Sequence, residues 1–184
     1  MSEEPILATA RMALVAAKPQ MVRADLSNRA ELGLLLNAAI PQAWPPPLVD
    51  AAALQWILKS VEADPDCLLW CARYFVLKEP RVVIGLGGFK GRPDATGTVE
   101  IGYSVLEQFQ RCGYGTEAAA ALCKWAFSHE EVRCVTAETF PHLTGSISVL
   151  KKNQFRLTGA GSEGDTIRFE LARDRAATGL TTLT

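Results

Sequence analysis

The sequence predicts an α/β domain, and three observations carry that expectation. An alternating apolar run at 99–105 leads into a glycine-punctuated turn at 110–116 and then an alanine-rich run at 117–127, which together read as strand, turn and helix. Two apolar stretches of strand length, 67–77 and 82–89, flank Lys78-Glu79-Pro80-Arg81 and read as an antiparallel hairpin. Ahead of them, Leu54, Ile57, Leu58 and Val61 follow the i, i+3, i+4, i+7 spacing of a helix that lays one stripe on a core.

Taken in order, 12–17 reads as a first strand, with Pro19 in the turn and a shorter return to Asp25. Ser27 or Asn28 supplies an N-cap for a helix over 30–39, which Ile40-Pro41 closes. Gln42-Ala43-Trp44-Pro45-Pro46-Pro47 is a stiff, extended connection, and Trp44 at its head is the candidate for substrate contact. Asp50 caps the helix that carries Leu54, and Asp64-Pro65 stops it. Within the hairpin, Gly85, Gly87 and Gly88 mark a bulge or a close backbone crossing. The turn-rich link 91–97 then feeds the strand at 99–105, so three antiparallel strands precede the loop. Beyond it, 132–140 reads as a strand, 144–153 as a helix and 166–171 as a last strand with Ile167, Phe169 and Leu171 on one face. From Asp174 onward no core pattern remains, and the tail of what we read as one domain over 1–184 is expected to fray.

Composition narrows the function classes. With 19 Lys+Arg against 20 Asp+Glu there is no electrostatic footprint for nucleic acid or an anionic membrane, so a ligand must be recognised locally. Met1-Ser2-Glu3-Glu4-Pro5 is acidic where a secretory leader is basic, and the apolar run 13–17 is too short to span a bilayer, so a cytoplasmic protein is expected. Five cysteines, irregularly spaced, suggest reduced thiols, and with His129 and His142 they form no zinc pattern.

The chemistry concentrates in Gln110-Arg111-Cys112-Gly113-Tyr114-Gly115-Thr116. Gly113 and Gly115 let the backbone take φ > 0 and approach a ligand closely, and the following helix aims its unpaired N–H groups and dipole at whatever sits there, which suits a phosphate. The spacing lacks the lysine of an NTPase phosphate loop and the third glycine of a dinucleotide loop. It resembles the Gln/Arg-x-x-Gly-x-Gly/Ala pyrophosphate loop of the GNAT N-acetyltransferase superfamily, with Gln110, Gly113 and Gly115 on the three defining positions. The flanks Val99-Glu100-Ile101-Gly102-Tyr103 and Thr116-Glu117-Ala118, and the block from Ser146 to Phe155, are similar to the Rim-type branch that acetylates ribosomal-protein N-termini. The chain departs from that branch at Leu143, where the family has asparagine. It departs again at Leu150, where family enzymes often carry tyrosine, and at Gln154 in place of glycine, which implies a different end to the helix.

The resemblance implies a GNAT fold: a mixed, mostly antiparallel twisted sheet with helices on both faces. It implies acetyl-CoA as cofactor, with its pyrophosphate on the backbone of Arg111, Cys112, Gly113, Tyr114, Gly115 and Thr116, and its pantetheine arm along Tyr103, Ser104 and Val105 as an added strand. Arg111 and Lys152 either pair with CoA phosphates or are solvated cations; Cys112 is either a reactive thiol or a small side chain in a loop that works through its backbone. Amide formation needs a neutral amine, a donor to the oxyanion and a proton for the leaving thiolate. Glu100 is the candidate base, through water, or else a strand residue paired with a cation. A backbone N–H near Val105 is the oxyanion donor. Ser146 either protonates the thiolate or caps the helix. The implied partner is a primary amine, on a peptide N-terminus or a small molecule, and a homodimer is the family-level expectation. The alternative is a non-catalytic acyl-CoA-binding module on the same fold.

Overall fold

The computed structural model describes residues 6–179. Its first half runs β1 (Leu7–Ala8), β2 (Met12–Ala16), α1 (Pro19–Ser27), α2 (Arg29–Leu36), α3 (Ala51–Ala63), β3 (Ala72–Leu77), β4 (Val83–Phe89) and β5 (Thr98–Val105). Then come α4 (Tyr114–Phe127), β6 (Cys134–Thr139), α5 (Thr144–Lys152), β7 (Arg156–Ala160), β8 (Ile167–Ala172) and α6 (Arg173–Gly179). Among the described residues the strands form one sheet in the order β1-β2-β3-β4-β5-β6-β8-β7. Every neighbouring pair is antiparallel except β5 and β6, which are parallel.

Each face of the sheet is covered. On one, Leu14, Phe75, Ile84 and Ile101 pack against Ala118, Leu122 and Ala126 of α4 and Leu150 of α5. On the other, Tyr74, Val76, Val83 and Leu86 meet Val22 of α1, Leu32 and Leu36 of α2, and Leu54 and Ile57 of α3. The expected mixed, mostly antiparallel sheet with helices on both faces is therefore what forms.

Several elements match closely. Asp50 Oδ1 accepts from Ala53 N–H at 2.8 Å and starts α3, while Asn28 caps α2 through Glu31 N–H. The β3–β4 hairpin carries a register shift at Phe75/Val76, opposite the glycine-rich strand. The glycines permit a close approach: a Cβ on Gly85 or Gly87 would lie 2.8 Å or 2.7 Å from the Phe75 ring.

Other elements differ. The expected return strand at 20–25 is helix α1, because Pro19 sits in the first turn, where its fixed φ suits a helix, and Met21, Val22 and Ala24 form a buried face. Residues Pro65–Leu69 form a 3₁₀ turn instead of the beginning of β3, with Asp64 Oδ1 accepting from Asp66 N–H. α2 ends at Leu36 because Asn37 takes the left-handed conformation. The region after Asp174 does not fray at once. Arg173 begins α6 and donates to the carbonyls of Phe127, His129 and Val132, while Ala176 is buried; residues 180–184 lie outside the described part.

Candidate active site

The central feature is a cleft between β5 and β6. β6 pairs with β5 only at Thr98, Glu100 and the residue between them, whereas β4 pairs with β5 as far as Val105. Among the described residues, the edge of β5 that faces β6 therefore has no strand partner from Gly102 to Val105. Peptide groups alternate along a strand. Lys90 N–H donates to Glu100 O at 2.9 Å and Leu106 N–H to Ile84 O at 2.8 Å, so the even-numbered residues face β4. Tyr103 and Val105 consequently turn their N–H and C=O groups into the cleft.

The cleft leads to the loop. Gln110 braces its head, its Nε2 donating to Val105 O at 2.9 Å. Arg111 (φ 60°) and Gly113 (φ 84°) are left-handed, and the chain enters α4 at Tyr114, so Gly115, expected to take φ > 0 as well, is instead a helical residue of the first turn. The first helical hydrogen bond runs from Glu117 N–H to Gly113 O at 3.0 Å. Among the described residues the N–H groups of Tyr114, Gly115 and Thr116 have no acceptor, and Gly113 offers no side-chain cap. Donors converging at a helix N-terminus on an exposed loop form an anion cradle. On the far side Gly115 packs at 3.4 Å, by its would-be Cβ, from Val149 of α5. Asn153, itself buried, donates to Thr116 O at 3.2 Å and so holds α4 and α5 together.

The remaining sequence-predicted residues fall around this cleft. Tyr103 O–H donates to the Ser146 carbonyl at 3.4 Å, joining β5 to the first turn of α5, and burial pushes its phenol well above the usual range. The Ser146 hydroxyl has no partner among the described residues and does not cap the helix, since the N-cap is Leu143, which offers no side-chain acceptor. Glu100 is paired with Lys90, Nζ to Oε1 at 2.5 Å, and its side chain stays 24% exposed, so water reaches it. Ser104 Oγ donates to the carbonyl of Pro47, laying the proline-rich loop across the even-numbered side of β5. Arg111, Cys112 and Lys152 are exposed, and the two cations make no ion pair among the described residues.

Two expectations are corrected here. Trp44 does not present its ring to a substrate: it is 2% exposed, and its Nε1 donates to Asp25 Oδ1 at 2.7 Å beside the Tyr74 hydroxyl, which donates to Oδ2 at 3.0 Å. Burial raises the Asp25 carboxyl above its ordinary value despite those two donors. The indole anchors the loop whose exposed residues are Gln42, Ala43, Pro45, Pro47 and Leu48. Gln154 does not change the end of α5. It adopts φ 65° itself, with Phe155 N–H bonded to Leu150 O and Gln154 N–H to Lys151 O, the paired bonds of a glycine-type helix stop.

Sequence reasoning missed three residues at the loop's outer side. Glu117 Oε1 accepts from Thr9 Oγ1 at 2.6 Å and Arg11 N–H at 2.8 Å, and its Oε2 from Arg11 Nε at 2.7 Å. Arg11 Nη1 donates to Cys112 O at 2.9 Å, and the guanidinium lies 4.2 Å over the Tyr114 ring. These partners are over a hundred positions apart, and no local pattern pairs them.

The model of the acetyltransferase (GNAT) domain matches residues 20–156, most of the chain. The chain belongs to the GNAT acetyltransferase family. This GNAT chain is 38% identical over 88 residues to the uncharacterized N-acetyltransferase YjdG of Bacillus subtilis (strain 168), a match covering 48% of this chain and 52% of the relative. It thus spans about half the length of that curated relative. Among solved structures, the GNAT fold here is similar to a putative ribosomal-protein-serine acetyltransferase from Vibrio cholerae, with TM-score 0.65 and 16% identity over 94% of this chain and 99% of that one. It is also similar to RimL, a ribosomal L7/L12 α-N-protein acetyltransferase in complex with coenzyme A, with TM-score 0.65 and 18% identity over 93% and 99% of the two chains. RimJ of Mycobacterium smegmatis, in complex with a CoA disulfide, gives TM-score 0.62 and 19% identity over 92% and 88%.

Proposed function

We propose that this GNAT domain is an acetyl-CoA-dependent N-acetyltransferase that passes the acetyl group directly to a primary amine in a ternary complex. The observation that carries the reading is the open edge of β5 running into a loop whose helix-terminal N–H groups lack acceptors among the described residues. That combination suits a ligand with an amide-bearing arm and a pyrophosphate, and coenzyme A has both. Bound there, acetyl-CoA supplies an activated thioester.

The chain's own groups then have distinct tasks. Tyr114, Gly115 and Thr116 hold phosphate oxygens through their N–H groups, with Arg111 and Lys152 as nearby cations. The Val105 N–H, turned into the cleft, donates to the developing oxyanion. Glu100 accepts the amine's proton through water, and Lys90 keeps that carboxylate fixed. Ser146, whose hydroxyl is not engaged in capping, relays to the departing thiolate the proton that the attacking nitrogen sheds as the amide forms. The acceptor we favour is a peptide α-amine, as in the Rim-type enzymes, with a small-molecule amine as the second choice.

One observation favours the non-catalytic alternative. Leu150 stands where family enzymes often carry a tyrosine and is buried, 1% exposed, so that position offers no proton donor.

Calorimetric titration tests the cofactor: saturable binding of acetyl-CoA is expected, with no binding of ATP or NAD, and equal binding of either control would sink the reading. A panel of N-terminal peptides, polyamines and amino sugars, read by thiol release, then separates enzyme from binding module. Glu100→Gln should lower turnover at neutral pH by about a hundredfold, the usual scale for a lost general base, with acetyl-CoA affinity little changed. A full-rate variant would remove Glu100 from the mechanism.

A further inference from the structure

The loop carries an internal competitor for its own ligand. Glu117 lies in the first turn of α4, where the helix dipole and the acceptor-free N–H groups of Tyr114, Gly115 and Thr116 attract any carboxylate within reach. An anion seated there by the protein itself would occupy the cradle. Yet the Glu117 carboxylate points elsewhere, its two oxygens engaged by Thr9 Oγ1, Arg11 N–H and Arg11 Nε at 2.6–2.8 Å. Burial alone pushes this carboxyl up, but the hydrogen bonds from Thr9 and Arg11 and the guanidinium charge outweigh it and hold it below the usual carboxylate value. It is therefore a full negative charge at neutral pH.

We propose that Arg11, with Thr9, is a positioning residue of the cofactor loop: a clasp that draws the Glu117 carboxylate off the N-terminus of α4 and keeps the cradle free for phosphate. The inference rests on the acetyl-CoA reading for the identity of the anion. The same guanidinium fixes the loop's shape. Arg11 Nη1 pins the Cys112 carbonyl at 2.9 Å, and because C=O and N–H oppose each other in a trans peptide, the Gly113 N–H is turned away from Arg11. Stacking on Tyr114 at 4.2 Å holds the guanidinium in place.

The clasp differs from a plain structural ion pair in what its two halves do when removed. A structural pair is damaged from either side. A clasp predicts opposite results: Arg11→Ala releases the carboxylate into the cradle and weakens acetyl-CoA binding by about tenfold or more. Glu117→Gln removes the competitor, and the variant binds at least as tightly as wild type. The double variant R11A/E117Q returns to within about threefold of wild type. R11K, able to hold Glu117 but not to reach Cys112 O as well, falls between. Titration calorimetry with acetyl-CoA reads the four affinities, and thermal unfolding of each variant verifies that it is folded.

A second readout is independent of the cofactor. In ligand-free protein, the amide resonances of Tyr114, Gly115 and Thr116 shift in R11A as the carboxylate caps them and revert in R11A/E117Q. Shifts that revert, in a protein that fails to bind acetyl-CoA, would sink the cofactor reading and leave the clasp standing. E117Q as harmful as R11A, or a double variant no better than R11A, would overturn the clasp and make Arg11 either a structural residue or a direct phosphate contact.

Discussion

Gly113→Glu should abolish measurable acetyl-CoA binding while leaving the protein folded. Gly113 sits at φ 84°, on an exposed loop, with a would-be Cβ 3.3 Å from Arg11 Nη2. Any side chain there strains the left-handed turn by about 1–2 kcal/mol and disturbs the guanidinium that pins Cys112 O. A carboxylate adds charge. At about 5 Å from a phosphate and an effective dielectric near 20, one pair of unit charges repels by roughly 3 kcal/mol, which is more than a hundredfold in affinity. Gly113→Ala carries the strain without the charge and should bind with intermediate strength. Calorimetric titration of both variants gives the ranking. Wild-type affinity in the glutamate variant would remove the loop from the cofactor site.

How much of this was legible in the sequence depended on how local the physics is. The loop could be read because its glycine, its lack of side-chain caps and the helix that follows are contiguous, and each acts through the backbone. The hairpin and α3 were legible for the same reason: period and capping residue lie within one window. α1 was misread because Pro19 serves equally as a turn residue and as the first residue of a helix, and the short segment behind it has too few turns to show a period. β7 was missed because all five of its residues are exposed, so no apolar alternation marks it. Trp44 looked like a contact residue beside three prolines, but the Asp25 and Tyr74 groups that bury it are 19 and 30 positions away in sequence, one on a helix and one on a central strand. Gln154 shows the opposite limit. The packing of Phe155 and the two closing hydrogen bonds impose a left-handed residue on a side chain that disfavours it. The Arg11–Glu117 contact joins the first strands to the helix after the loop, and only the folded sheet brings them together.

Gly88→Ala should be the most destabilising single methyl group that can be added to this sheet, and Gly102→Ala, at the residue paired with it, should be nearly neutral. A Cβ on Gly88 would lie 1.8 Å from Cys71 O, 2.7 Å from Cys71 C and 2.9 Å from Ala72 Cα. All three are backbone atoms, so no side-chain rotation can relieve the clash. Moving the segment away strains the hydrogen bonds from Phe89 N–H to Trp70 O at 2.7 Å and from Ala17 N–H to Ala72 O at 2.8 Å, which hold β4 and the end of β2 to the start of β3. Overpacking of this kind and one weakened buried hydrogen bond together cost about 3–5 kcal/mol, a large part of the 5–15 kcal/mol typical of a domain. A Cβ on Gly102 meets nothing within 4 Å, and its backbone is not left-handed. Alanine there changes stability by under about 1 kcal/mol, with a gain expected from the stiffer unfolded chain. Urea unfolding of the two variants separates close approach from strand propensity, because both substitutions are glycine to alanine in adjoining strands. Equal midpoints would mean that β3 and β4 do not cross as closely as Gly88 indicates.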